Sequence, residues 1–179
     1  MKIGIVRHFK VDCKKDKYMN THEFSTYIDT YDRADIIIDQ VKIDQEQWKK
    51  CYCSDLLRAV KTAEALYKGE IKQSQLIREV PMAPIVDVDF RLHSSWWSIS
   101  SRLAWLVNHT VQQEGRRATK QRAEAFIEDL KDEEDILIVS HGFFLITLVK
   151  LLRKQGFKGY VPLRMKNGEV YVLEKIAGI

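Results

Sequence analysis

Two short apolar runs constrain this chain more than anything else in it: Ile3-Gly4-Ile5-Val6, which breaks off in Arg7-His8, and Ile136–Val139, which breaks off in Ser140-His141-Gly142. Consecutive, mostly β-branched residues without polar alternation predict strands buried on both faces, as in the interior of a parallel sheet. Groups placed directly after such strands lie at their carboxyl ends, where open α/β sheets bind ligands. A lone Arg-His pair says little. A second imidazole in the same position after a second inner strand says more, and because His141 opens a helix, free backbone N–H groups nearby are expected to receive an anion.

The remaining bounds are broad. A chain of 179 residues, 45% apolar and 30% charged, suits one domain with a real core. The net charge is +4 but unevenly spread. Lys2, Arg7, Lys10, Lys14, Lys15 and Lys17 face only Asp12 and Asp16 in the first 17 residues, whereas seven acids outnumber Arg33 and Lys42 over residues 18–48. A local positive field around His8 attracts a small anion such as a phosphate ester. It lacks the interleaved aromatics of a nucleic-acid surface, so no nucleic-acid partner is expected. Cys13, Cys51 and Cys53 form neither a CxxC nor a disulfide framework, and no ligand cluster accompanies them. A reducing compartment and no metal site are expected. The start lacks a secretory apolar region, and the longest apolar run, Phe143–Val149, is too short to span a bilayer, so a soluble, cytoplasmic protein without a membrane partner is expected.

Periodicity organises the rest. Asn20 and Glu23 resemble a capping box before an amphipathic helix over 21–32, with Phe24, Tyr27, Ile28 and Tyr31 as its stripe. Ile36–Val41 is apolar but interrupted by Asp39 and Gln40, which predicts an irregular or edge segment. Lys50–Ser54 predicts a strand and Ser54 or Asp55 a cap for the helix that follows. That helix would bury Leu56, Ala59, Val60, Ala63 and Tyr67 and leave Arg58 off the stripe in its first turn, where a cation opposes the helix dipole. A local rule broken this way marks a functional candidate. Gln75–Arg78 reads as a further extended piece. Residues 85–110, with Trp96, Trp97 and Trp105, read as a helical excursion over one end of the sheet, and exposed Trp residues there would suit a homodimer contact. A helix over 119–131 buries Ala123, Phe126, Ile127 and Leu130; Asn167-Gly168 predicts a turn before a closing strand, Glu169–Lys175. His22, His93 and His109 read as surface or structural residues.

Ile5-Val6-Arg7-His8, then Ser54-Asp55-Leu56-Leu57-Arg58-Ala59-Val60-Lys61-Thr62-Ala63, then Val139-Ser140-His141-Gly142 resemble the three ordered blocks of the histidine phosphatase superfamily, the phosphoglycerate mutase-like proteins. The resemblance implies a three-layer α/β fold, a mostly parallel sheet with helices on both faces, and one domain over 1–179 with a short helical lid at about 85–118. It implies phosphoryl transfer on a small phosphorylated substrate without metal or cofactor. His8 would be the nucleophile that becomes a phosphohistidine, Arg7, Arg58 and His141 would complete the phosphate pocket around it, and Glu79 would stand where many members keep their proton donor. The chemistry agrees. Two guanidiniums and a second imidazole can stabilise the charge that Mg²⁺ stabilises elsewhere, while a carboxyl group protonates the leaving alkoxide.

Phe9 and Lys10 stand where relatives carry Gly and a short polar stretch, and Phe9 is expected to narrow the site or shield it from water. The Trp-Glu-Gly and Gly-Glu-Ser triplets of many members are missing as well. A phosphomonoester phosphatase is the leading expectation, with a phosphomutase or a weakly catalytic phosphate-binding module as alternatives. Lys10, Lys14, Lys15, Arg91, Arg102, Arg116 and Arg117 are candidates for reading a second anionic group.

Overall fold

The computed structural model describes residues 1–38, 43, 44 and 46–175. In chain order it runs β1 (Lys2–Arg7), β2 (Lys10–Val11), β3 (Tyr18–Met19), α1 (Thr21–Arg33), β4 (Ile36–Ile37), β5 (Lys50–Ser54), α2 (Leu57–Leu66), β6 (Ile71–Ser74), a 3₁₀ turn (Gln75–Ile77), β7 (Leu92–His93), α3 (Ser94–Leu106), α4 (Arg116–Asp129), β8 (Ile136–Ser140), α5 (Gly142–Lys154) and β9 (Val170–Glu174).

The two apolar runs are neighbours. The main sheet has the order β6-β5-β8-β1-β9, so β8 is its middle strand and β1 lies beside it. β1 and β8 pair in parallel from Ile3 opposite Ile136 to Arg7 opposite Ser140, and only β9 runs antiparallel. Side chains alternate between the faces of a strand. Ile3, Ile5, Tyr52, Ile136, Ile138 and Leu173 therefore join Phe126 of α4 and Phe144 and Leu148 of α5 in one core, while Val6, Cys51, Cys53, Leu137 and Val139 join Ala59, Ala63 and Leu66 of α2 in the other. With helices on both faces, an unbroken apolar strand loses no surface to water. Each buried Val, Leu or Ile contributes about 1.5–3 kcal/mol relative to exposure.

A satellite cluster of Met19, Phe24 and Trp97 packs α1 against α3. The Trp97 ring stacks on Phe24 with centroids 5.4 Å apart, and its indole N–H donates to the Met19 carbonyl at 2.8 Å. The capping box is present: Asn20 Oδ1 accepts from the Glu23 amide and Glu23 Oε2 accepts from the Asn20 amide, both at 2.9 Å.

The expected edge segment is present in its described part, where Ile36–Ile37 pairs with Lys10–Val11 as a short ribbon outside the main sheet; residues 39–41 lie outside the described residues. Other expectations are corrected by packing. Gln75–Arg78 is not extended; the strand is Ile71–Ser74, and Ser74 Oγ accepts from the Leu76 amide to start the 3₁₀ turn. α4 begins at Arg116 rather than 119. Trp97 and Trp105 are buried while Trp96 is exposed, so the outward apolar groups of α3 are Trp96, Ile99, Leu103 and Leu106.

Phe9 turns away from any ligand space and is buried among Val6, Trp48 and Cys51 on the α2 face. Its expected role as a shield is overturned. The room comes from Gly168, whose φ of +73° suits glycine and where an added Cβ would lie 2.4 Å from the Phe9 ring. Gly168→Ala should lower stability by about 1–3 kcal/mol, through strain and overpacking together. The check is a lower denaturant midpoint at unchanged slope. Adding Phe9→Leu should return part of the loss.

Candidate active site

β1 delivers Arg7 and then His8, β8 delivers His141, and the first turn of α2 delivers Arg58. The His8 main chain is tied on both sides: its amide donates to the Ser140 carbonyl at 2.9 Å, and its carbonyl accepts from Asn167 Nδ2 at 2.6 Å. Its ring Nδ1 lies 2.6 Å from the Phe9 carbonyl. A carbonyl only accepts, so Nδ1 carries the proton and Nε2 keeps a free lone pair. Only 3% of His8 is exposed. Burial first and the Arg58 guanidinium second push its pKa down to about 3, with the Phe9 carbonyl opposing and Arg7 reinforcing them. The His141 ring sits beside it, centroids 5.1 Å apart and tilted by 55°. His141 is fully buried, and burial, then His8 and Arg58, hold its pKa well below the usual imidazole value.

Arg58 corrects the sequence reading, for it is 3% exposed rather than off the buried side of its helix. Nη1 donates to Asp32 Oδ1 at 2.8 Å, and the guanidinium lies 5.1 Å from the Tyr31 ring centroid. The Arg58 carbonyl accepts from Thr62 Oγ1 at 2.6 Å, and that oxygen accepts from the Phe9 amide at 2.9 Å, which ties α2 to the loop after His8. Neither Ser54 nor Asp55 caps α2. The cap position is Leu56 without a side-chain bond, Ser54 Oγ instead accepts from the Leu56 amide, and Asp55 pairs with Arg78. Arg7 passes over Gly142, where a Cβ would lie 3.0 Å from Nε, and its Nη1 donates to the Met165 carbonyl at 3.2 Å.

Among the described buried side chains, six nitrogen or oxygen atoms have no partner, and four of them are Arg7 Nε, Arg58 Nε and both His141 ring nitrogens. Each such orphan costs about 1–3 kcal/mol. Their convergence suits a ligand with several acceptor oxygens.

Glu79 reaches the same region from the loop after the 3₁₀ turn. Its Oε1 accepts from the Val80 and Phe144 amides at 2.9 and 3.0 Å, and its Oε2 from the Phe143 amide at 3.3 Å. The first amides of α5 thus hold a carboxylate of the chain itself, not the free anion the sequence suggested. Arg7, His8, Arg58 and Glu79 share the wall of one cavity of about 860 Å³, with Tyr27, Tyr31, Val80, Met82 and Phe143. His141 lies beside His8 but off that wall. Among the described residues, no three His, Cys, Asp or Glu side chains converge to hold a metal ion.

Sequence reasoning missed four supporting residues. Asp32 and Tyr31 lie on a helix whose periodicity speaks only of packing, and Thr62 and Asn167 carry no local signal. Arg122, one of four cations between residues 116 and 122, also supports the site: its Nη1 donates to the Leu76 and Arg78 carbonyls at 2.7 and 2.9 Å, its Nη2 to Glu114, and it lies over Phe144. Of the seven cations considered for a second anionic group, only Lys15 and Arg102 reach the cavity wall, and Arg91 is paired with Glu23 at 2.8 Å.

A family model described as histidine phosphatase superfamily (branch 1) matches residues 31–178, beginning after Arg7 and His8. No curated protein matches the sequence. Among solved structures the chain is similar to Bacillus stearothermophilus YhfR, with a TM-score of 0.58 and 19% identity over 99% of this chain and 92% of that one. It is similar also to a candidate alpha-ribazole-5'-P phosphatase from Escherichia coli K-12, with a TM-score of 0.55 and 21% identity over 96% and 89%. A phosphoserine phosphatase mutant from Entamoeba histolytica, solved in complex with phosphoserine, gives a TM-score of 0.54 and 15% identity over 96% and 89%. At these identities the likeness is one of fold.

The buried neutral imidazoles make stability depend on pH. Unfolded, each histidine takes a proton near pH 6.5; folded, His8 resists protonation until about pH 3 and His141 is shifted the same way. Below pH 6.5 the unfolded state binds more protons, so stability is full above that value and falls as the pH drops toward 3. The expected slope is about 1.4 kcal/mol per pH unit for each histidine. Denaturant titrations across this range should show it, and His141→Gln should make the dependence shallower.

Proposed function

The chain belongs to the histidine phosphatase superfamily, and from that premise we propose that it is a metal-independent phosphomonoester phosphatase acting through a phosphohistidine on His8. The observation that carries this reading is the bond from the His8 ring to the Phe9 carbonyl, because it leaves Nε2 unprotonated in a pocket of unpartnered donors.

In the first step the Nε2 lone pair attacks phosphorus and the bond to the ester oxygen breaks. Glu79, as the carboxylic acid, gives its proton to the departing alkoxide. Arg7 and Arg58 on the cavity wall, with His141 beside His8, stabilise the equatorial oxygens, where negative charge spreads in the transition state. In the second step Glu79 takes a proton from water, the water oxygen attacks phosphorus, and the phosphorus–nitrogen bond breaks to restore neutral His8. The amides of Phe143 and Phe144 hold Glu79 in place throughout. A cavity of about 860 Å³ is larger than a phosphate group and has room for water beside a small phosphorylated substrate, as hydrolysis requires. The segment 85–118 contributes Ser98, Arg102, Gln113 and Glu114 to that cavity, and we assign it the role of a lid. Three free thiols support a reducing, cytoplasmic setting, and among the described residues no helix is long and apolar enough to cross a membrane.

Brief exposure to p-nitrophenyl phosphate, an alkaline quench and mass spectrometry should find phosphate on His8 and none in His8→Ala. Unchanged turnover in that variant overturns the reading. Glu79→Gln should slow hydrolysis of alkyl phosphates by about 10²–10⁴-fold. The loss should be smaller for p-nitrophenyl phosphate, whose leaving group needs no proton.

A further inference from the structure

Three of the seven lysine and arginine side chains on the cavity wall are paired with carboxylates: Arg58 with Asp32, Arg78 with Asp55 and Arg122 with Glu114. Apart from Arg7 in the phosphate pocket and the exposed Arg164, the wall cations without a carboxylate partner among the described residues are Arg102 and Lys15. Arg102 is half-buried on α3. Its guanidinium lies 3.9 Å from the Phe143 ring centroid, and Nη1 donates to the Val80 carbonyl at 3.0 Å. These contacts fix the planar fork and leave its other N–H groups to face the cavity. Burial holds its pKa below the ordinary arginine value, with Glu79 and Glu114 opposing. Ser98 stands one helical turn earlier on the same face, and its hydroxyl accepts from Lys15 Nζ at 3.1 Å. Lys15 also lies 5.6 Å from the Tyr27 ring centroid, and burial lowers its pKa.

A half-buried guanidinium that no carboxylate touches, with the ammonium of the more exposed Lys15 beside Ser98 on the same helix face, suits an anion, since Glu79 and Glu114 act on Arg102 only from beyond ion-pair distance. The phosphate pocket does not supply that anion. Val80, Phe143, Ile28 and Met82 add apolar surface to the same wall. We propose that Arg102, Lys15 and Ser98 form a second anion subsite. The substrate is then a phosphomonoester whose apolar body carries a second anionic group at the end away from the ester. This inference rests on the phosphatase reading for its chemistry but on separate residues for its recognition.

Phenyl phosphate and its para-carboxylate and para-phosphate derivatives test it, with Arg102→Met, which keeps the packing on Phe143, and Lys15→Met, which lies outside the core. Each variant should lower kcat/KM for an anionic ester at least about tenfold more than for phenyl phosphate, the scale of one charge-assisted hydrogen bond. Whether the carboxylate or the phosphate loses more identifies the second group. Equal losses on all three esters, or none, overturn the subsite. If the unaltered chain hydrolyses none of them, the phosphatase reading falls, and calorimetric titration with the same esters decides the subsite alone. A preference for the anionic esters that Lys15→Met and Arg102→Met diminish upholds it; equal affinities for the three overturn it.

Discussion

The in-register parallel pairing of β1 with β8 is the contact on which the site depends. It sets Arg7 opposite Ser140 and lets the next amide, that of His8, donate to the Ser140 carbonyl at 2.9 Å. Both strands then leave the sheet at the same height, with their imidazoles 5.1 Å apart. β9 secures the other side of β1. The turn before it places Gly168 to donate to the Arg7 carbonyl at 2.8 Å and Asn167 to donate to that of His8 at 2.6 Å. A nucleophile candidate is thereby held by a main-chain bond to β8 and a side-chain bond from the turn before β9, which is how a fold preorganises a reacting atom.

The same end of the sheet collects departures from local rules. An arginine sits in the first turn of a helix without a side-chain cap, two imidazoles are buried neutral, and a guanidinium nitrogen on each of Arg7 and Arg58 is left unpartnered. Such costs persist only where the surroundings over-determine them. Here the surroundings are two apolar cores, one on each face of the sheet, together with the Thr62 and Asn167 bonds that lock the loop after His8. Asp32 offsets part of the Arg58 charge, and Glu79 occupies the amides at the start of α5. The pocket keeps a cationic surplus for a ligand while its carboxylates remain individually committed.

Local signals in the sequence determined a good deal. The unbroken apolar runs declared the inner strands, because only a strand covered on both faces tolerates them; Asn20 and Glu23 declared the start of α1, because a capping box needs only four residues. The order of the three blocks around Arg7-His8, Arg58 and His141 indicated which side chains meet, and the structure brings them to one end of the sheet. Tertiary packing decided the rest. It buried Arg58 against Asp32 and turned Phe9 into the core over Gly168. It gave Glu79 to the amides of α5, and it paired Arg91 with Glu23 while leaving Lys15 and Arg102 on the cavity wall. Each of these depends on which groups, distant along the chain, compete for one charge or one volume. Periodicity and propensity describe neighbours within a few turns and carry no record of that competition.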